Sequence, residues 1–229
     1  MIPTIRQLIF PNSCTGCQGR LLTTEQWLCS ACISNLPLTN YQLMKDNPVQ
    51  KLFWGKLPIE EVWPYCYYVK GEKMQRILHA IKYKNAAGLA EKMGELFGLE
   101  LLQSNTPKAD YLIPVPLSSD KLRIRGYNQA EAIAIGLGKA MNIPLVTDVL
   151  VKARKTDTQT HSSKYARWIN VEQIFKIAFD KSDLLEHKKV WIIDDVITTG
   201  ATIESCMLHL QKINCCRTGA LSLASAEHI

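Results

Sequence analysis

A chain of 229 residues with 47% apolar and 21% charged side chains can bury a real core and excludes wholesale disorder. Length alone allows one domain of ordinary size with a small accessory unit beside it. No stretch reaches the ~18 apolar residues of a membrane helix, and the formal net charge of +6 suits anionic ligands, whether phosphate metabolites or nucleic acid, as well as a merely solvated basic surface.

The chain opens on MIPTIRQLIF, where Pro3, Arg6 and Gln7 interrupt the apolar residues. This is not a signal-peptide core, and a cytoplasmic protein is expected. Next comes SCTGCQGRLLTTEQWLCSAC, in which Cys14, Cys17, Cys29 and Cys32 form two C-x-x-C pairs separated by eleven residues, Gln18 to Leu28. Each pair can close a tight knuckle, with Gly16 supplying permissive backbone in the first. Four thiolates complete a tetrahedral Zn2+ shell without an open position, so such a site is structural. A redox C-x-x-C normally accompanies a βαβ pattern, and here both pairs flank a short polar hairpin; an iron–sulfur cluster uses the same ligand type and stays open. The other four cysteines, Cys66, Cys206, Cys215 and Cys216, lie in apolar surroundings without a pairing pattern and read as small buried hydrophobes.

Residues 1–38 are therefore expected as a four-cysteine zinc-binding module. Residues 39–64 follow as an irregular connector with several prolines, Asn47, Gly55 and two tryptophans that can pack on a larger domain over residues 65–229. Within that domain CYYVK reads as a strand, and KMQRILHAIKYK places Met74, Ile77, Leu78 and Ile81 at the spacing of an amphipathic helix. AAGLAEKMGELFGLELLQS is a second helix, DYLIPVPLS a short buried strand ending in a proline-broken turn, and QAEAIAIGLGKAMN a helix closed by Asn142 and Pro144. Residues 151–170 are polar and patternless, a long loop. KVWIIDDVI is a buried strand, ATIESCMLHLQKIN a helix and GALSLASA a last strand. This alternation predicts an α/β fold with a mostly parallel sheet.

The chemistry concentrates in VWIIDDVITTGAT. A strand over Val190–Ile193 delivers Asp194 and Asp195 to the carboxyl edge of the sheet, where open α/β proteins bind ligands. Val196 and the loop Thr198, Thr199, Gly200, Ala201 and Thr202 then lead into a helix whose first N–H groups, with the threonine hydroxyls, favour an anion. Two carboxylates beside a phosphate cradle suit a ribose 5-phosphate: the acids accept from vicinal hydroxyls while the loop holds the phosphate. Lys82 and Lys84 could meet a pyrophosphate or simply close a helix. Arg123 and Arg125 could fork onto phosphate or pack on the surface, and the segment Tyr127–Gln129 could meet an acceptor or cap the next helix.

These thirteen residues resemble the PRPP-binding signature of type I phosphoribosyltransferases. Further blocks, IKYKNAAGLA, IPVPLSSDKLRIRGYNQAEAIA and RKTDTQTHSSKYARWINVEQIF, together with the four-cysteine module, are similar to the ComF family, bacterial proteins associated with competence for DNA uptake. The resemblance implies a type I phosphoribosyltransferase fold over residues 65–229. It assigns Asp194, Asp195, Lys82, Lys84 and Arg154 to catalysis, and Val196, Thr198–Thr202, Arg123, Arg125 and Gln159 to the substrate. The polar segment from Arg154 to Asn170, with Arg167 in it, is similar to the hood loop that excludes water from the reacting centre. PRPP and pyrophosphate are the implied ligands, Mg2+ the implied partner of PRPP, and single-stranded DNA or a DNA-uptake apparatus the implied macromolecular partner. The same pocket would serve a transferase with an unnamed acceptor, a DNA- or protein-binding adaptor that senses PRPP, or a nucleotide-salvage transferase.

Overall fold

The computed structural model describes residues 13–152, 175–178, 182–214 and 216–226. After the cysteine module and connector, the elements are β1 (Val62–Tyr68), α1 (Lys73–Tyr83), α2 (Ala87–Gln103), β2 (Tyr111–Pro114), α3 (Ser119–Arg125), α4 (Gln129–Met141), β3 (Leu150–Lys152), β4 (Phe175–Ile177), β5 (Lys189–Ile197), α5 (Ala201–Leu210) and β6 (Arg217–Ala226). Strands β1, β6, β5 and β2 lie in that order in one sheet, and every pairing is parallel. The α/β architecture expected from the sequence is thus the architecture found. Strands β3 and β4 pair separately as an antiparallel ribbon.

A parallel strand covered on both faces reads as a continuous apolar run, and Val190, Trp191, Ile192 and Ile193 of β5 are all fully buried. Register then sets the site. The β2–β5 ladder ends at Pro114 opposite Ile193, so Asp194 is the first β5 residue beyond it, at the carboxyl edge. Helix α1 buries Met74, Ile77, Leu78 and Ile81, the stripe its spacing predicts. Helices α2 and α4 cross almost backbone to backbone: a Cβ on Gly94 would lie 2.1 Å from the Ile133 carbonyl oxygen, and one on Gly136 1.9 Å from that of Glu91.

Three boundaries differ from the sequence expectation. Strand β1 starts at Val62, inside the stretch read as connector, with Pro64 in its middle. Proline is tolerated because β1 is an edge strand, and its outer edge is covered where Thr39 N donates to Tyr65 O (3.0 Å) and Tyr67 N to Pro37 O (2.8 Å). Helix α3 gave no periodic signal because none of its residues is buried. The connector itself carries a 3-10 turn at Tyr41–Leu43 and a short helix at Pro48–Lys51 capped by Asn47. It is tied to the sheet by the edge-on ring pair Trp63–Trp191, with centroids 5.8 Å apart, and by an ion pair between Glu61 and the buried Lys189.

Candidate functional site: an acidic strand tip facing four cations

Beyond the end of β2, Asp194 and Asp195 face a cleft of ≈ 310 Å³. Lys82, Lys121, Arg125 and Lys152 supply four cations to its lining, and Val115, Pro116, Leu117 and Phe175 supply much of its apolar wall. The Lys82 ammonium is 3.1 Å from Asp195 Oδ2, and Asp194 Oδ1 accepts the Asp195 N–H at 2.8 Å. Some of the Asp194 surface still reaches solvent, yet burial of its carboxyl is the largest influence on it. Burial and the neighbouring charge of Asp195 outweigh the backbone hydrogen bond, Lys82 and Lys121, and push Asp194 up to about 7.

The loop after β5 turns at Gly200, whose φ of +78° is left-handed. A side chain there would be strained, and it would also collide with the fully buried Phe53, whose Cζ would lie 2.8 Å from a Cβ at this position. Helix α5 starts at the next residue, so Ala201 and Thr202, both lining the cleft, belong to the first turn, where helix N–H groups lack intrahelical partners. Across the cleft, Arg125 donates to Gln129 Oε1 (2.7 Å), Gln129 Nε2 to Tyr127 O (3.0 Å) and Tyr127 OH to Ile81 O (2.5 Å). This chain ties the α3–α4 turn to the end of α1 that carries Lys82. Asn128 caps α4, accepting from Ala130 N at 3.1 Å, and also lines the cleft.

Of the residues singled out in the sequence, Lys82, Arg125, Asp194, Asp195, Val196, Ala201 and Thr202 come together. Thr198 and Thr199 are exposed in the loop, and Gly200 is buried beneath it. Lys84 caps the end of α1 and lines a different cleft, against the cysteine module. Arg123 is exposed on α3 and does not line the cleft. Arg154, Gln159, Arg167 and Asn170 lie outside the described residues. Sequence reasoning missed Lys121, Lys152 and Phe175. Lys121 is four residues before Arg125, which puts both on one helical face, a signal legible only once α3 is recognised. Lys152 and Phe175 come from β3 and β4, whose short strands have no pattern of their own.

The four sulfurs of Cys14, Cys17, Cys29 and Cys32 all lie within 4.8 Å of one another, and those of Cys17 and Cys29 are 3.8 Å apart. Ligands ~2.3 Å from a tetrahedral zinc would be separated by roughly 3.8 Å, so the cluster fits that ion. Backbone N–H groups also point at sulfur, from Gly19 to Cys17 at 3.4 Å and from Cys29 to Cys14 at 3.3 Å. Burial works against ionising Cys14, but N–H groups of Cys17, Cys29 and Gly16 and the Cys32 thiol outweigh it and bring Cys14 down to about 7. Gly16 serves the knuckle by space: a Cβ there would lie 2.9 Å from Cys32 Sγ, while the left-handed residue of this turn is Gln18, at φ 66°. Elsewhere Cys66 and Cys206 are buried, Cys216 is half-buried, and Cys215 lies outside the described residues. No helix among the described residues is long and apolar enough to cross a membrane.

Comparison with known proteins agrees with this geometry. Residues 124–228 match the phosphoribosyl transferase domain. Competence protein F of Haemophilus influenzae is 28% identical over 222 residues, which cover 89% of this chain and 93% of that protein. DNA utilization protein YhgH of Escherichia coli O157:H7 is 25% identical over 194 residues, 83% of this chain and 80% of its own. Competence protein ComFC of Bacillus subtilis is 27% identical over 203 residues, 87% and 79% respectively. A parallel sheet with an acidic tip leading into a helix-start loop, matched by that domain, makes this a type I phosphoribosyltransferase fold. Within that class the chain, with its four-cysteine cluster, is similar over most of its length to competence proteins F and ComFC.

Proposed function

We propose that the chain binds PRPP with Mg2+ in the cleft at the tip of β5, transfers its phosphoribosyl group with release of pyrophosphate, and serves DNA uptake, a role in keeping with the competence and DNA-utilization names of its relatives. The observation that carries this reading is the Lys82–Asp195 contact beside Asp194, at the foot of a left-handed glycine turn opening a helix. Carboxylates accept from the vicinal ribose hydroxyls, and the first turn of α5 with Thr198–Thr202 takes the 5-phosphate. Lys82 exchanges its bond to Asp195 for the pyrophosphate, while Arg125, held by Gln129, adds a planar fork on the same side. Mg2+, entering with the substrate oxygens, would offset charge on the leaving group. The C1–O bond to pyrophosphate breaks with its electron pair leaving on oxygen, the acceptor's lone pair forms the new bond to C1, and the acceptor proton passes to solvent. Positioning and electrostatics suffice, and no side chain needs to act as a nucleophile.

The four cysteines would hold Zn2+ as a structural ion, since four sulfurs leave no coordination position for a substrate. Calorimetry of PRPP with Mg2+ tests the pocket. Asp195→Ala should weaken binding about 100-fold, because the ribose hydroxyls lose a charged acceptor; an unchanged affinity overturns the reading. Pyrophosphate release across an acceptor panel tests turnover, and tight binding without release identifies a PRPP-sensing adaptor.

A further inference from the structure

The turn between α3 and α4 sends three consecutive side chains to three different elements around the acidic cleft. Helix α3 ends at Gly126, whose φ of +79° is left-handed and whose N–H donates to Leu122 O at 2.8 Å. Tyr127 then reaches α1. Its hydroxyl donates to Ile81 O at 2.5 Å, one of the last four carbonyls of that helix, where intrahelical partners run out. Asn128 reaches the end of β2, Nδ2 donating to Val115 O at 3.1 Å. Gln129, 2% exposed, turns back to α3: its Oε1 accepts from Arg125 Nη1 at 2.7 Å while its Nε2 donates to Tyr127 O at 3.0 Å. The Arg125 guanidinium also lies over the Tyr83 ring, 5.9 Å from its centroid. Tyr127 does not line the cleft. Burial pushes its phenol up to about 12, against the pull of Gln129 and Arg125, so the hydroxyl stays protonated as a donor to α1. Both ends of the Gln129 amide are likewise engaged within the protein. Tyr127 therefore fixes the backbone next to Lys82, and Gln129 fixes the guanidinium of Arg125; these two cations do line the cleft. A long cationic side chain loses rotamer freedom when it binds, and one that is held beforehand loses less.

We propose that Tyr127 and Gln129 are positioning residues that hold Lys82 and Arg125 ready for the pyrophosphate of PRPP, so that the site distinguishes PRPP from ribose 5-phosphate through a preformed pair of cations. The inference rests on the PRPP reading and adds to it the residues that set the leaving-group end. Calorimetry with Mg2+ on the zinc-loaded full chain would compare PRPP, pyrophosphate and ribose 5-phosphate. Tyr127→Phe removes only the hydroxyl, and Gln129→Met keeps most of the volume of a buried side chain. Each should weaken PRPP and pyrophosphate at least ~10-fold and leave ribose 5-phosphate unchanged, with circular dichroism confirming the fold. Coupling gives a second readout. Once Arg125→Ala is in place, Gln129→Met should weaken PRPP no further, and Tyr127→Phe should likewise be silent beside Lys82→Ala. A proportional loss for all three ligands would make the two residues merely structural and overturn the inference, as would losses that simply add in the double variants. Should Gln129→Met fail to fold, Tyr127→Phe carries the test alone. A parent chain that binds none of the three ligands overturns the PRPP reading together with this one, whereas a parent that binds PRPP no more tightly than either variant sinks this inference only.

Discussion

The two chemically dense regions of this molecule balance their charge in opposite ways. In the cysteine knuckle, four ligand atoms converge within 4.8 Å and the backbone N–H groups of Gly19 and Cys29 already point at sulfur; a single divalent ion would complete it and leave nothing for a ligand. At the tip of β5, two carboxylates sit among Lys82, Lys121, Arg125 and Lys152, and one of the carboxylates stays reluctant to ionise. A structural site closes on itself, whereas a binding site keeps mismatched charge at hand because its ligand will supply the remainder. The fold separates the two regions but joins them through α1, whose residue Arg76 holds the knuckle at Gly16 and whose last turn carries Lys82.

Stripping the metal should produce the largest effect. Structural zinc contributes about 10 kcal/mol or more to small metal modules, so a chelator, or Cys32→Ser, should abolish the order of residues 13–36, seen as lost near-ultraviolet dichroism of Trp27 and as rapid proteolysis there. PRPP affinity should survive, because none of the described residues lining the acidic cleft comes from the knuckle. Loss of both together would show that the two regions fold as one unit. Phe53→Ala comes next. Phe53 is fully buried under Gly200, and removing such a ring costs roughly 3–5 kcal/mol. Thermal melting should register that cost, and PRPP should bind more weakly with zinc content unchanged, since the cavity opens directly beneath the loop proposed to take its phosphate.

What the sequence disclosed follows the same division. The cysteine spacing and the run from Val190 into Asp194 were legible because each is local: ligands a few residues apart, or an apolar strand that must end where its neighbour ends. Helices α1 and α4 were legible through their buried stripes. Three things were not. Helix α3 buries nothing, so no periodicity marks it, and Lys121 stayed hidden with it. Pro64 disguised the start of β1, since only the sheet order shows that this strand is an edge. Lys84 looked like a companion of Lys82, but residues two apart on a helix do not share a face, and the second lysine turns toward the knuckle. Proximity in sequence predicted contact poorly wherever a helix intervened.

The smallest expected effect tests whether the acidic tip is destabilised as its charge pattern implies. Burial, with the charge of Asp195 added, raises Asp194 from 3.8 to about 7, so the folded protein keeps a proton that the unfolded chain releases near pH 4. A group raised in this way stabilises the fold fully below its unfolded value and loses that contribution as pH climbs from about 4 to about 7. Asp194→Asn fixes the neutral state and keeps an oxygen able to accept the Asp195 N–H, now 2.8 Å away. The variant should therefore melt above the parent at pH 8, by about 3 °C for each kcal/mol relieved, with the gap closing near pH 4. PRPP affinity should move the other way: it should rise in the parent as Asp194 ionises across that window and stay low and flat in the variant. Equal melting temperatures at pH 8 would mean that Lys82 and Lys121 already neutralise the pair, and the acidic tip would then hold no unmet charge for a ligand to supply.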